Sequence, residues 1–213
     1  MRIVLATRNQ HKVAELRRIV AAAGLDVELV GTEEFPDLPD IAETGSTFAA
    51  NALLKAHDVA RRTGCVAIAD DSGLCVDALN GMPGIFSARW AGTHGNDAAN
   101  LALVLAQIAD VPPGRRGASF HCAAAVATPE GEERVVEGVL AGSLSESPRG
   151  ENGFGYDPIF VPAGFVVTTA ELTPAEKDAI SHRGQAFRAL IPVLIGLGAE
   201  GGTRTRTPEG TGT

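Results

Sequence analysis

Two adjacent acids, Asp70 and Asp71, follow a short apolar run and precede Ser72 and Gly73. Carboxylates in such a setting are costly unless they contact solvent, a metal ion or a cation. Open α/β sheets place ligand sites at the carboxyl ends of strands, where carboxylates can bind Mg²⁺ or deprotonate a water molecule. The pair therefore indicates a metal-assisted hydrolytic centre, with an Asx-type turn as the structural alternative. The DxDx[TV] spacing of haloacid-dehalogenase-type nucleophiles does not fit adjacent acids.

A second candidate is the polar stretch of residues 7–12, which connects a predicted strand to a predicted helix. The start of a helix offers free backbone N–H groups and a favourable dipole for an anion. Thr7, Asn9 and Lys12 could add side-chain donors, although the chain has no GxxxxGK[ST] P-loop motif. The alternative is an ordinary turn with Asn9 as the helix N-cap.

A third candidate is a polar stripe formed by Thr47, Asn51 and Lys55, which are four residues apart and share one side of a helix. The stripe lies beside the apolar stripe of the same helix, where side chains can line a cleft. Glu43 precedes the helix and could reach a metal ion there. The alternative is a solvated helix face with a cap.

Two segments in the second half of the chain could bind a planar ring. Phe154 lies between two glycines, which leaves its ring exposed as a stacking platform. Lys177 and Ser181 share a helix face, and His182 and Arg183 follow at the helix exit. Because arginine only donates hydrogen bonds, at a base edge it favours an oxo group, so a six-oxo purine fits and adenine does not. The alternatives are an ordinary turn and surface polarity.

The elements that must position these residues follow from periodicity and cap signals. The predicted strands are residues 3–6, 27–30, 65–69, 118–127 and 132–140, and the last two form a hairpin. The first three predicted helices are residues 12–23, 47–62 with Ser46 as N-cap, and 98–108. A fourth starts with a Thr173…Glu176 capping box and ends around 181–184, and Pro192 kinks or shortens a last helix. These elements predict an α/β fold with a mixed, partly antiparallel sheet and flanking helices.

Composition limits the function classes. A chain of 213 residues with 45% hydrophobic content supports one domain over residues 1–197, or two lobes around a shared cleft, and a disordered tail over 198–213. The net charge of −8 argues against stable nucleic-acid binding, and we identify neither a targeting segment nor an apolar run of the roughly 20 residues that a membrane span needs. Three cysteines, an odd number without CxxC spacing, predict free thiols in a reducing compartment.

Taken together, seven segments resemble the inosine/xanthosine triphosphate pyrophosphatase family, whose members remove non-standard purine nucleotides. The resemblance covers about residues 1–195 and rests on these motifs in order: Thr7-x-Asn9-x-x-Lys12, Glu43-Thr44-Gly45, Asn51-Ala52-Leu53-Leu54-Lys55, Ala69-Asp70-Asp71-Ser72-Gly73-Leu74, Pro83-Gly84-Ile85-Phe86-Ser87-Ala88-Arg89, Gly153-Phe154-Gly155-Tyr156-Asp157-Pro158 and Ser181-His182-Arg183-Gly184.

This resemblance implies an elongated fold with two lobes around a central cleft, a homodimer, and hydrolysis of ITP, dITP and XTP to the monophosphate and pyrophosphate with Mg²⁺. From the free thiols and the targeting analysis we expect a cytoplasmic protein. It implies that Asp71 is the general base and, with Glu43, a Mg²⁺ ligand, and that Asp70 assists. The implied triphosphate-binding residues are Thr7, Arg8, Asn9, Gln10, His11, Lys12, Lys55, Ser72 and Lys177. Phe154 would stack on the base, whose edge would be read by Gly155, Tyr156, Asp157, His182 and Arg183.

Three features depart from the family pattern: Arg8 stands where glycine is common, Pro192 interrupts a usually smooth helix, and the tail matches nothing. Two other functions stay open on sequence. A non-catalytic nucleotide sensor would need the phosphate and base contacts without the paired acids, and an unrelated phosphomonoesterase would release inorganic phosphate.

Overall fold

The computed structural model describes residues 2–24 and 27–201, with nothing described of the side chains of His11 and residues 198–201. The strands are β1 (Arg2–Leu5), β2 (Glu28–Gly31), β3 (Val66–Val76), β4 (Gly117–Ala127), β5 (Glu133–Leu144) and β6 (Phe160–Pro162). The helices are α1 (Gln10–Ala22), α2 (Phe48–Thr63), α3 (Asp97–Gln107), α4 (Pro174–Ile180) and α5 (His182–Gly201). A 3₁₀ turn at Gly84–Arg89 will matter for the site.

The strands form one six-stranded sheet in the order β2-β1-β3-β4-β5-β6. β1 runs parallel to β2 and β3, and the other neighbours are antiparallel. The predicted α/β class with a mixed, partly antiparallel sheet is therefore confirmed. No helix of the described residues is long and apolar enough to cross a membrane.

The two faces of the sheet are covered by different helices. Ile68 of β3 packs with α1 and α5, whereas Ala69 packs with α2. Successive side chains of a strand point to opposite faces, so Asp70 follows Ile68 to the α1 and α5 face and Asp71 follows Ala69 to the α2 face. A third apolar cluster joins α3 and β6 to the far ends of β3, β4 and β5.

β3 is longer than predicted, because the apolar run ends at Ala69 but the strand continues to Val76. The acids thus lie in the middle of β3 and not at its carboxyl end. The physical reason is non-local: β4 pairs with β3 in continuous antiparallel register as far as Val76. The much shorter β1 stops pairing at Ile68, where the Ala6 N–H donates to the Ile68 carbonyl at 2.7 Å.

Local signals near the helix ends were mostly accurate. The capping box of Thr173 and Glu176 is present at the start of α4. The N-cap of α2 is Thr47 and not Ser46, because the Thr47 hydroxyl accepts from the Ala50 N–H. Pro192 does not end α5, which continues to Gly201 and so includes the first residues of the predicted tail. The rest of that tail, residues 202–213, lies outside the described residues.

Candidate active site

A cleft of about 870 Å³ runs along the open edge of β3. Between Ile68 and an isolated bridge from Cys75 to Pro83, no strand of the described chain pairs with this edge. Side chains from both faces of the sheet therefore reach one cavity. The predicted site residues that line it are Thr7, Arg8, Asn9, Lys12, Glu43, Lys55, Asp71, Ser72, Phe154, Gly155, Tyr156, Asp157, Lys177, His182 and Arg183.

Asp70 lies on the α1 and α5 face and is only 3% exposed. Its carboxylate contacts the Lys12 ammonium at 2.9 Å and the Nε of Arg183 at 3.2 Å. Burial alone would raise the pKa of Asp70, but the charges of Lys12 and Arg183 hold it well below its ordinary value. Asp70 is therefore a permanent anion that anchors two cations.

Asp71 lies on the α2 face in a less cationic setting. Asn51 donates to its Oδ2 at 3.0 Å, and the Lys55 ammonium lies 3.5 Å from its Oδ1 and 2.9 Å from Oε1 of Glu43. Burial raises the pKa of Asp71, the nearby Lys55 charge lowers it, and Glu43 raises it further, so that the net shift is upward. A carboxylate with a raised pKa is suited to accept a proton.

The other end of the cleft is aromatic. Phe154 is half-buried, and the Lys177 ammonium and the Arg183 guanidinium carbon lie 5.1 and 5.7 Å from its ring centroid. Asp157 holds the loop, because its Oδ2 accepts from the Phe154 N–H at 2.8 Å. Tyr156 is buried and donates its hydroxyl to the Ser87 carbonyl at 2.9 Å.

His182 contributes a neutral ring to this end. Burial, followed by the charges of Arg183 and Lys177, lowers the pKa of His182 well below its ordinary value. The ring stacks on Phe120 with centroids 4.8 Å apart. Among the described residues its Nδ1 is a buried nitrogen without a hydrogen-bond partner, which is an exception among buried polar groups.

The residues of the predicted phosphate-binding segment have different surroundings in the structure. The Asn9 side chain accepts from the Lys12 N–H at 3.3 Å, so Asn9 is the N-cap of α1. Arg8 lies 2.8 Å from Asp40 and donates to the Leu38 carbonyl. Gln10 is exposed and does not line the cleft, and the predicted role of His11 falls on a side chain outside the described ones.

Lys177 lies away from the other lysines. Its ammonium contacts Asp157 and faces Phe154, whereas Lys12 and Lys55 contact the paired acids. The structure thus places Lys177 at the aromatic end, although its predicted partner is a phosphate. That role stays a prediction.

Two functional residues escaped the sequence reasoning. Glu15 is 3% exposed and accepts from both Ser181 and Arg183, which fixes the Arg183 guanidinium. Arg89 lines the cleft and donates to Oε2 of Glu43 at 3.2 Å. Glu15 lies three residues after Lys12, and this helical spacing could have indicated it. Arg89 belongs to one of the seven motifs that carry the family resemblance, but the sequence analysis gave it no role.

Gly73 lets the turn that carries Arg89 approach β3. A Cβ at this position would lie 2.4 Å from both the Gly84 carbonyl oxygen and the Ser87 hydroxyl. Only glycine avoids that overlap without a shift of the turn. The backbone of β3 therefore forms the floor of the cleft between the acids and the aromatic end.

Two carboxylates in the cleft are candidates to hold a divalent cation. Within residues 2–24 and 27–201, no three His, Cys, Asp or Glu side chains converge as a metal site. Glu43 and Asp71, however, both contact the Lys55 ammonium. Two converging carboxylates fit Mg²⁺, which takes one or two protein carboxylates and completes its shell with phosphate and water.

Comparisons with known proteins agree with this geometry. The model of the Ham1 family matches residues 3–193. A dITP/XTP pyrophosphatase of Streptomyces coelicolor is 64% identical over 193 residues, which cover 91% of this chain and 96% of that protein. The crystal structure of a nucleoside-triphosphatase/dITP/XTP pyrophosphatase from Mycobacterium abscessus is 57% identical, with a TM-score of 0.75 over 90% of this chain and 100% of that one. A HAM1 protein from Coxiella burnetii is 45% identical, with a TM-score of 0.83 over 92% and 98% of the two chains. The predicted family is thereby confirmed, and the chain belongs to the Ham1 family.

Proposed function

We propose that this chain hydrolyses dITP, ITP and XTP to the monophosphate and pyrophosphate, with Mg²⁺. The observation that carries the proposal is the placement of two adjacent acids in different charge environments: Asp70 contacts Lys12 and Arg183, whereas Asp71 lines the cleft beside Lys55 and Glu43. Asp70 keeps two cations in place, while Asp71 is ready to take a proton. A nucleotide sensor would need the cations but not this second acid.

Asp71 is the general base in this proposal. Its raised pKa lies closer to neutral pH than that of an ordinary aspartate, which favours removal of a proton from the attacking water. Asn51 and Lys55 orient its two oxygens. Mg²⁺ held by Glu43 and Asp71 would supply positive charge to the phosphate oxygens.

Lys12 and Lys55 bind the triphosphate. Each ammonium is already fixed by carboxylates, at 2.9 Å from Asp70 and from Glu43 respectively. Fixed cations need no reorganisation when charge develops on the phosphoryl group, and such preorganisation is a main source of catalysis.

The aromatic end selects the base. Phe154 stacks on the purine, and His182, which also lines the cleft, bonds to its edge. Arg183 uses three of its five N–H donors on Asp70, Glu15 and Ser72, which leaves donors for a six-oxo group.

The test is product analysis with ITP, by separation of nucleotides and pyrophosphate. Wild type should release inosine monophosphate and pyrophosphate, and Asp71→Asn should lower kcat by about 10²- to 10⁴-fold. Asp110→Asn, at an exposed aspartate outside the cleft, is the matched control and should keep wild-type turnover.

Three outcomes would contradict the proposal. Equal turnover in Asp71→Asn would remove this acid from the role of base. Inorganic phosphate as the product would favour a phosphomonoesterase, and ITP binding without metal-dependent turnover would favour a sensor.

We further propose a cytoplasmic homodimer. The family resemblance supports the dimer, and the three free cysteines support a reducing compartment. Light scattering should give twice the chain mass of 22.0 kDa, and cell fractionation should recover the protein with cytoplasmic markers. A monomer mass or an exported protein would contradict these two points.

A further inference from the structure

Glu43 is carried by an irregular segment. Between the 3₁₀ turn at Thr32–Glu34 and the start of α2 at Phe48, the described chain forms neither a helix nor a strand. Regular backbone hydrogen bonds therefore do not determine where the Glu43 carboxylate points. Its side-chain contacts must do so.

Two cations contact the Glu43 carboxylate, one at each of its oxygens. Lys55 contacts Oε1 at 2.9 Å, and Arg89 contacts Oε2 at 3.2 Å. Lys55 also lies 3.5 Å from Asp71 and is one of the two lysines assigned to the triphosphate. Among the described residues, Arg89 forms an ion pair with Glu43 and with no other carboxylate.

Arg89 is mounted on a rigid support. Ser87, two residues earlier, is 6% exposed and accepts from the Leu74 N–H of β3 at 2.9 Å. The buried Asn100 side chain donates to the Ala88 carbonyl at 3.2 Å and accepts from the Ala91 N–H at 2.7 Å. The backbone is therefore held on both sides of Arg89.

The guanidinium itself is also constrained. Its carbon lies 5.4 Å from the ring centroid of Phe86, within the range of a cation–π contact. The Arg89 side chain is 31% exposed, so solvent partly screens its ion pair with Glu43. The pair therefore contributes little to the free energy of folding, and its main effect is to orient the carboxylate.

We propose that Arg89 is a positioning residue that orients Glu43 toward the metal–triphosphate complex. This inference rests on the proposed function, because Glu43 is assigned there as a metal ligand. Carboxylates that bind metals are commonly held by hydrogen bonds from neighbouring groups, and loss of such a partner costs about 10- to 100-fold in metal affinity or activity. Arginine suits the task because its planar fork fixes the direction of the carboxylate, which a lysine does less well.

The experiment compares wild type with Arg89→Met, Arg89→Lys and the control Arg61→Met, which removes an exposed ion pair on α2. Two quantities are measured: kcat and KM for ITP, and Mn²⁺ affinity by electron paramagnetic resonance. The second measurement uses an ITP analogue with a methylene bridge between the α and β phosphorus atoms, so that it needs no turnover.

Arg89→Met should lower kcat and Mn²⁺ affinity, each by about 10- to 100-fold, with little change in KM. Arg89→Lys should recover part of both losses, and Arg61→Met should match wild type. Unchanged Mn²⁺ affinity and kcat in Arg89→Met, with an active wild type, would overturn the role of Arg89. A wild type that releases no pyrophosphate from ITP would overturn the proposed function and this inference with it.

Discussion

Asp70 and Asp71 are neighbours in the chain, yet β3 directs them to opposite faces of the sheet, where they meet different charges. Asp70 contacts two cations, Lys12 and Arg183, whereas Asp71 shares Lys55 with Glu43. The pKa of the first acid falls and that of the second rises. One residue type thus has opposite pKa shifts on the two faces, because the environment of a carboxyl group sets its pKa.

Each face also continues into a different end of the cleft. From Asp70 the contacts lead through Arg183 to Phe154 at the aromatic end. From Asp71 they lead through Lys55 to Glu43 and Arg89. Under the proposed function, the first route leads to base recognition and the second to proton transfer.

The largest difference between the two acids should appear in stability. Asp70→Asn removes one carboxylate from the buried Arg183, and breaking a buried ion pair from one side costs about 3–5 kcal/mol. Asp71→Asn should cost little free energy of unfolding, because the fold disfavours the charged form of Asp71. Urea denaturation of both variants measures this difference. Equal losses would show that the two faces do not differ as described.

A smaller effect is expected at the aromatic end. Phe154→Ala should raise KM for ITP by about 5- to 150-fold, since base stacking contributes about 1–3 kcal/mol. The value of kcat should change much less, because Asp71 and Glu43 belong to the other chain of contacts. Phe165→Ala, at an exposed phenylalanine outside the cleft, is the control. A loss confined to kcat would contradict the separation of the two ends.

The smallest expected effect is a gap between acid inactivation and acid unfolding. At Mg²⁺ concentrations well below saturation, activity needs ionised Asp71 for both of its proposed roles, so it should fall about tenfold per pH unit below the raised pKa of this group. The ion pairs of Asp70 contribute stability that is complete above the ordinary aspartate pKa of about 3.9 and is lost as the pH falls toward the lowered folded value. Turnover should therefore decline at a pH where circular dichroism still reports a folded chain. Coincident loss of turnover and fold would argue against the two pKa shifts.

Local signals predicted much of the fold. The capping box at Thr173 depends on contacts within a few residues, and the polar stripe of Asn51 and Lys55 depends on helical spacing; the structure contains both. The one-residue error at the N-cap of α2 reflects two adjacent hydroxyl residues, Ser46 and Thr47, that satisfy the same rule.

The features that the sequence did not show depend on long-range contacts. The length of β3 depends on pairing with β4, about 50 positions later in the chain, and an apolar run alone cannot show it. Asp70 and Asp71 lie on opposite faces of the sheet only because β3 continues through them, since side chains alternate faces along a strand. The partner of Lys177 is Asp157, and nothing in the spacing of helix α4 indicates it.

The contacts of Arg183 have a consequence for protein synthesis. This side chain bonds to Glu15 and to Asp70, partners that precede it by 168 and 113 positions. A nascent chain carries both acids long before the ribosome adds the arginine that contacts them. The site can therefore be completed only after Arg183 has been made, and fragments that stop before α5 should lack the cation that joins Glu15 to Asp70.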